Sequence, residues 1–156
     1  MYRRKHLLEA IALSRECLET GQGGPFGCVI ARGDEIVGRG RNMVTARNDP
    51  TAHAEIEAIR DACRKLGTFD LSACQLYTSC EPCPMCLGAV YWARLDRIYM
   101  AAARHDAADA GFDDSFIYDE IALPLERRSI PVEHHERAAA VKVFQDWVAW
   151  EDRRAY

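Results

Sequence analysis

An α/β fold with a sheet covered on both faces follows from three patterns in the amino-acid sequence. Helical apolar periods alternate with short runs of strand formers, the order of a layered α/β domain. Glycine- and proline-rich stretches punctuate those runs. The chain has 156 residues, 49% of them apolar, which is enough for one substantial core.

Leu7, Leu8, Ile11, Ala12 and Leu18 recur at helical spacing, so residues 3–20 read as an amphipathic helix. Gly21-Gln22-Gly23-Gly24-Pro25 ends it in a loop. Residues 26–31 and 35–41 read as short strands joined by an Arg32-Gly33-Asp34 hairpin turn. Residues 42–48 read as polar and irregular. Asp49-Pro50-Thr51 then opens a helix, with Asp49 as N-cap candidate and Pro50 in its first turn. Ala54, Ala58, Ile59, Ala62 and Leu66 give that helix an apolar face, and Gly67 terminates it. Residues 74–79 form a strand that Glu81-Pro82 closes. Pro84 takes the first position of a helix running to about Arg94. Residues 97–103 are apolar enough for a central strand. Residues 107–118 read as loop and short helix, and residues 131–136 as a last strand. Val141, Phe144, Trp147 and Val148 set a C-terminal helix ending near Tyr156. No repeat, low-complexity tract or linker divides the chain, so residues 1–156 read as a single domain.

The formal charge of −4 argues against a nucleic-acid backbone as the main partner, which calls for a basic face. No apolar run is long enough to span a bilayer. The basic start Met1-Tyr2-Arg3-Arg4-Lys5-His6 runs into a pattern broken by Glu9, Arg15 and Glu16, where a secretory signal would be uncharged. A cytoplasmic protein with no membrane partner is the expectation. Seven cysteines without an export signal point to metal binding or catalysis rather than to a disulfide framework. Cys17 and Cys63, on helical apolar faces, and Cys28, in an apolar strand, read as small buried hydrophobes.

Chemistry concentrates in His53-Ala54-Glu55 and Pro82-Cys83-Pro84-Met85-Cys86. One imidazole and two thiolates are three ligands for a tetrahedral zinc ion, and three protein ligands leave a fourth position open. Water bound there has its pKa lowered to about 7. Cys83 as N-cap and Cys86 in the first turn lie at the positive end of a helix dipole, which favours the thiolate. Glu55 follows His53 by about 200° of helical rotation, so it reaches toward the fourth position rather than joining the ligands. It is the candidate base that takes the water's proton. Glu57 is the competing carboxylate and reads as solvated. Cys80 extends the run to Cys80-x-x-Cys83-x-x-Cys86 and is an alternative fourth ligand. Glu81-Pro82, holding it at a strand end, favours leaving it out. His105, His134 and His135 read as surface groups.

Pro50 to Glu55 and Thr78 to Cys86 resemble the zinc motifs of the cytidine deaminase superfamily. Gly23-Gly24-Pro25-Phe26-Gly27, Asn42, Tyr91-Trp92-Ala93-Arg94, the stretch from Ala110 to Tyr118 and the terminal Tyr156 are similar to its bacterial guanine deaminases. The resemblance implies a three-layer α/β/α sandwich with a mixed five-stranded sheet and one Zn2+ per subunit. It implies hydrolysis of guanine to xanthine and ammonia, with Glu55 as proton shuttle. The substrate residues it implies are Phe26, Asn42, Ala54, Asp114 and Tyr156, with the partners a purine base and water. It also implies a homodimer in which residues from about 131 to 156 are exchanged between subunits. The segment from Glu133 to Arg137 and the final helix match the pattern least.

A carboxylate at Asp114 suits two adjacent donors on one edge of guanine. Asp113 or Asp114 ahead of Ser115 also fits an N-cap. Phe26 fits a core position and Asn42 a turn. Three other functions share part of the pattern. A tRNA adenosine deaminase would use the same zinc motifs with a basic RNA path. A deaminase of cytidine, adenine or a triazine would differ at Asp114 and the tail. A structural zinc module would hold the ion without turnover.

Overall fold

The structure, a computed structural model, describes residues 1–156 and divides into two compact units, Met1–Asp114 and Ser115–Tyr156. The first unit runs α1 (Arg4–Thr20), β1 (Gly27–Arg32), β2 (Glu35–Arg41), α2 (Val44–Arg47), α3 (Ala54–Leu66), β3 (Gln75–Cys80), α4 (Pro84–Trp92), β4 (Arg97–Ala102) and α5 (Arg104–Asp109). The second holds α6 (Ser115–Ala122), a single 3-10 turn (Leu125–Arg127) and α7 (Arg137–Ala149).

The sheet has four strands in the order β2-β1-β3-β4. β1 pairs antiparallel with β2 and with β3, and β3 pairs parallel with β4 across the α4 crossover. It is mixed, as expected, but has four strands rather than five. Residues 131–136 form no strand. Glu136 sits at φ 51 as the N-cap of α7, so the extended backbone a strand needs ends before it. β4 is an edge rather than a central strand, and none of its residues is buried. Residues 42–48 are not wholly irregular either, because Val44–Arg47 closes one helical turn.

β1 explains the layering. Cys28 and Ile30 point to one face, where they pack with Val37, Leu76 and the alanines of α3. Val29 and Ala31 point to the other, against Tyr77, Leu7 and Leu13. Each face therefore needs its own helical cover, giving the three layers. All of residues 28–31 are fully buried, as suits an inner strand.

α3 lies unusually close to the sheet. A Cβ added to Gly40 would fall 2.0 Å from the Ala54 carbonyl oxygen and 2.4 Å from the Ala58 nitrogen. One added to Gly38 would fall 2.5 Å from the Ala58 oxygen and 2.8 Å from the Ala62 Cβ. Two glycines on one face of β2 thus meet Ala54, Ala58 and Ala62 at successive turns of α3, backbone against backbone. That contact fixes the N-terminal end of α3.

The second unit buries no residue, and Phe116, Ile121, Val143, Phe144 and Val148 are all exposed. No helix of the chain is long and apolar enough to cross a membrane.

Candidate active site

α3 starts later than Asp49-Pro50-Thr51 suggests. His53 is its N-cap, at φ −71 and ψ 156. Asp49 instead accepts from the Thr51 N–H (2.8 Å) and hydroxyl (2.6 Å), closing a turn ahead of the helix. Cys83 is the N-cap of α4, with Pro84 following and Cys86 in the first turn. Two helix N-termini therefore converge.

His53 Nδ1 lies 3.5 Å from the Cys83 Sγ and 3.5 Å from the Cys86 Sγ. Nitrogen and sulfur ligands at ordinary zinc distances stand about 3.6 Å apart across a tetrahedral angle. The donor atoms of all three residues lie within 4.8 Å of one another. The residues thus fit zinc in geometry and in donor type. Cys80, which stands outside this group, ends β3 and turns its Sγ to the Ala103 carbonyl, 3.6 Å away. Electrostatics agree with an anionic site. A hydrogen bond from Cys86 holds the Cys83 thiol down at about 4, and Cys86 is pushed up correspondingly. The hydrogen bond with Cys83 raises the His53 imidazole.

Glu55 is 6% exposed, and burial raises its pKa above the usual carboxylate value. The Thr78 hydroxyl donates to its Oε1 at 3.4 Å. Glu57 is not solvated. Its side chain is 13% exposed beneath Arg47 and Arg60, at 2.6 and 3.0 Å.

A cavity of about 310 Å³ opens over this group, and His53, Glu55 and Cys83 form part of its wall. Phe26, Asn42 and Asp114 line it too. The Phe26 ring meets Phe112 edge-on at 5.0 Å. Asn42 is 6% exposed, and its Oδ1 accepts from the Gly24 and Val44 N–H groups, both at 3.2 Å. That leaves the amide NH2, a donor, for a ligand. Burial raises the Asp114 carboxyl, the Cys83 charge adds to this, and the Arg104 charge opposes it. The Ala54 side chain is not in the wall but in the core under β2. Tyr156 belongs to the second unit and is exposed. The sequence did not single out Thr45, Glu81 or Arg104 as wall residues. Glu81 and Arg104 follow the carboxyl ends of the parallel strands β3 and β4, where α/β sheets bind ligands.

Comparison with known proteins gives a consistent result. The cytidine and deoxycytidylate deaminase zinc-binding region matches residues 2–102. The guanine deaminase of Bacillus subtilis (strain 168) is 51% identical over 150 residues, covering 96% of each chain. The tRNA-specific adenosine deaminase of Aquifex aeolicus is 39% identical, over 60% of this chain and 61% of that one. The X-ray structure of the Bacillus subtilis guanine deaminase superposes with a TM-score of 0.96 at 50% identity, over 100% of this chain and 99% of that one. The structure of guanine deaminase from Nitrosomonas europaea superposes at 0.68 with 30% identity, over 96% and 87%. The chain belongs to the cytidine and deoxycytidylate deaminase family of zinc-dependent enzymes, among the relatives of bacterial guanine deaminase.

Proposed function

We propose that the protein is a guanine deaminase, converting guanine and water to xanthine and ammonia. The observation that carries this is one cavity holding a zinc-competent His53–Cys83–Cys86 group, a buried Glu55 and the carboxylate of Asp114. One Zn2+ held by those three ligands would acidify a water at its fourth position.

Glu55, buried in the cavity wall and raised by burial, would take a proton from the attacking water and return it to the departing amine. The Thr78 hydroxyl steadies one of its oxygens while the proton moves. Phe26 flanks the base plane. Asn42 offers its NH2 to a ring acceptor. Asp114 accepts from the ring N–H and the amine edge. Ala54 follows His53 as the first residue of α3, and its backbone N–H is the group it offers to the base. An assay of ammonia release over guanine, adenine, cytosine, cytidine, guanosine and triazines, with zinc measured in parallel, tests the reading. Turnover of another base in preference to guanine overturns it, and zinc retained with no turnover of any base points to a structural role.

Replacing Asp114 by Ala leaves two substrate donors without a charged acceptor. The expected result is a fall in kcat/KM for guanine of about a hundredfold or more, with a melting temperature close to wild type. An unchanged kcat/KM takes Asp114 out of the site.

The whole chain acts as one deaminase domain in a homodimer, with residues from about 131 to 156 exchanged so that Tyr156 closes the partner's pocket. In support, the second unit buries no residue of its own, and β4 leaves apolar side chains such as Met100 on an unpaired edge. Chains truncated after residue 149 should keep zinc but lose guanine turnover, and the full chain should sediment as a dimer. A fully active truncated chain would refute the lid. A cytoplasmic setting suits seven cysteines that form no disulfide.

A further inference from the structure

Arg104 is the one permanently cationic side chain in the wall of the cavity, beside four carboxylates, Glu55, Glu81, Asp113 and Asp114. Its backbone is tightly held. The Arg104 N–H donates to Glu81 Oε2 at 3.0 Å, and the Glu81 N–H donates to the Ala102 carbonyl at 2.9 Å. The Ala103 N–H donates to Asp106 Oδ2 at 2.8 Å, fixing the first turn of α5. Arg104 is thereby tied to the loop that leads into Cys83. The residue itself is exposed, which puts a long cationic arm on a fixed base at the edge of the pocket. Asp114 lines the same cavity, so a carboxylate and a guanidinium share one wall.

Guanine presents its polar groups in a fixed order around the ring: the C2 amine, N1–H, O6 and N7. Two donors are followed by two acceptors. A carboxylate on the donors places the acceptors next to it, where only a donor is useful. Arg is the side chain whose fork matches O6 and N7 together. Adenine presents the opposite order, an acceptor at N1 beside the C6 amine, and leaves both charged groups mismatched.

We propose that Arg104 is a specificity-determining residue that recognises the O6 and N7 edge of the base beside Asp114. This rests on the guanine reading above. Glu81 then acts as a positioning residue, since its carboxylate holds the backbone from which Arg104 reaches.

Steady-state kinetics of zinc-loaded wild type, Arg104→Gln and Arg104→Lys on guanine, 6-thioguanine and 7-deazaguanine tests this. The two analogues keep the amine and N1–H but weaken or remove one acceptor each. Arg104→Gln should lower kcat/KM for guanine by about ten- to a hundredfold, the scale of charge-assisted hydrogen bonds. It should also shrink the advantage of guanine over both analogues, and Arg104→Lys should recover part of it. The dissociation constant of hypoxanthine, which has O6, N7 and N1–H but no amine to lose, should rise by a similar factor in Arg104→Gln. Zinc content and melting temperature should match wild type. A uniform loss on all three bases, or no loss, overturns the proposal. A wild-type enzyme that prefers another base overturns the functional reading instead.

Discussion

Replacing Glu55 by Gln should lower turnover by about 10²–10⁴-fold while zinc content stays at one per chain. Gln keeps the shape of Glu and an oxygen for the Thr78 hydroxyl, which donates to Oε1 at 3.4 Å, but cannot carry the proton. Stability supplies an independent readout. Burial raises the Glu55 pKa, so the folded state favours its protonated form, and the ionised form costs stability once the pH rises through that value. A neutral Gln has no such cost, so at pH 7 the variant should melt no lower than wild type. Metal analysis, a melting curve and an ammonia assay on one preparation decide the matter. Loss of zinc together with activity would make Glu55 structural.

Gly40→Ala should be as damaging at a distance. Its Cβ would sit 2.0 Å from the Ala54 oxygen and 2.4 Å from the Ala58 nitrogen, both backbone atoms that no rotamer change can move away. Either α3 retreats by about 1 Å or the hairpin of β1 and β2 deforms, and overpacking costs about 1–3 kcal/mol, with backbone clashes at the upper end. α3 carries both His53 and Glu55, so its retreat opens the zinc group and misplaces the proton shuttle. A displacement of about 1 Å far from the reacting atoms can cost about 10²-fold in rate. Lower zinc occupancy, a lower melting temperature and a loss of that order in kcat are expected together. Gly88→Ala is the control. It lies inside α4 with nothing within 4 Å of its added Cβ, so it should be neutral or stabilising. A Gly40→Ala protein with normal zinc and melting behaviour would mean that α3 is not held by this contact.

The zinc group was legible in the sequence because its ligands are short-range: Cys83 and Cys86 share one turn, and His53 opens a helix that its own apolar period reveals. What escaped depends on neighbours distant in sequence. Asp49 ahead of Pro50 looks the same whether it caps a helix or closes a turn on Thr51, and only the backbone path separates the two. Glu57 lies off the apolar stripe of α3 and so read as solvated. Arg47 covers it from α2, a turn that the sequence left irregular, so one omission produced the other. The composition of β4 suits an inner strand, but whether a strand is inner depends on its partners. The expected fifth strand runs into the left-handed Glu136, which caps α7 instead. Arg104 carries no pattern at all. It enters the wall only because β3 and β4 run parallel and end together.

The single oxygen of Asn42 joins the loop at Gly24 to the start of α2 at Val44. Both flanks of the opening are therefore braced against each other by the fold itself. The conformational cost of shaping this rim is met when the chain folds, not when a base arrives. A ligand entering a preorganised rim spends little of its binding free energy on ordering loops. More of it remains to strain and orient the carbon under attack, where it counts toward rate.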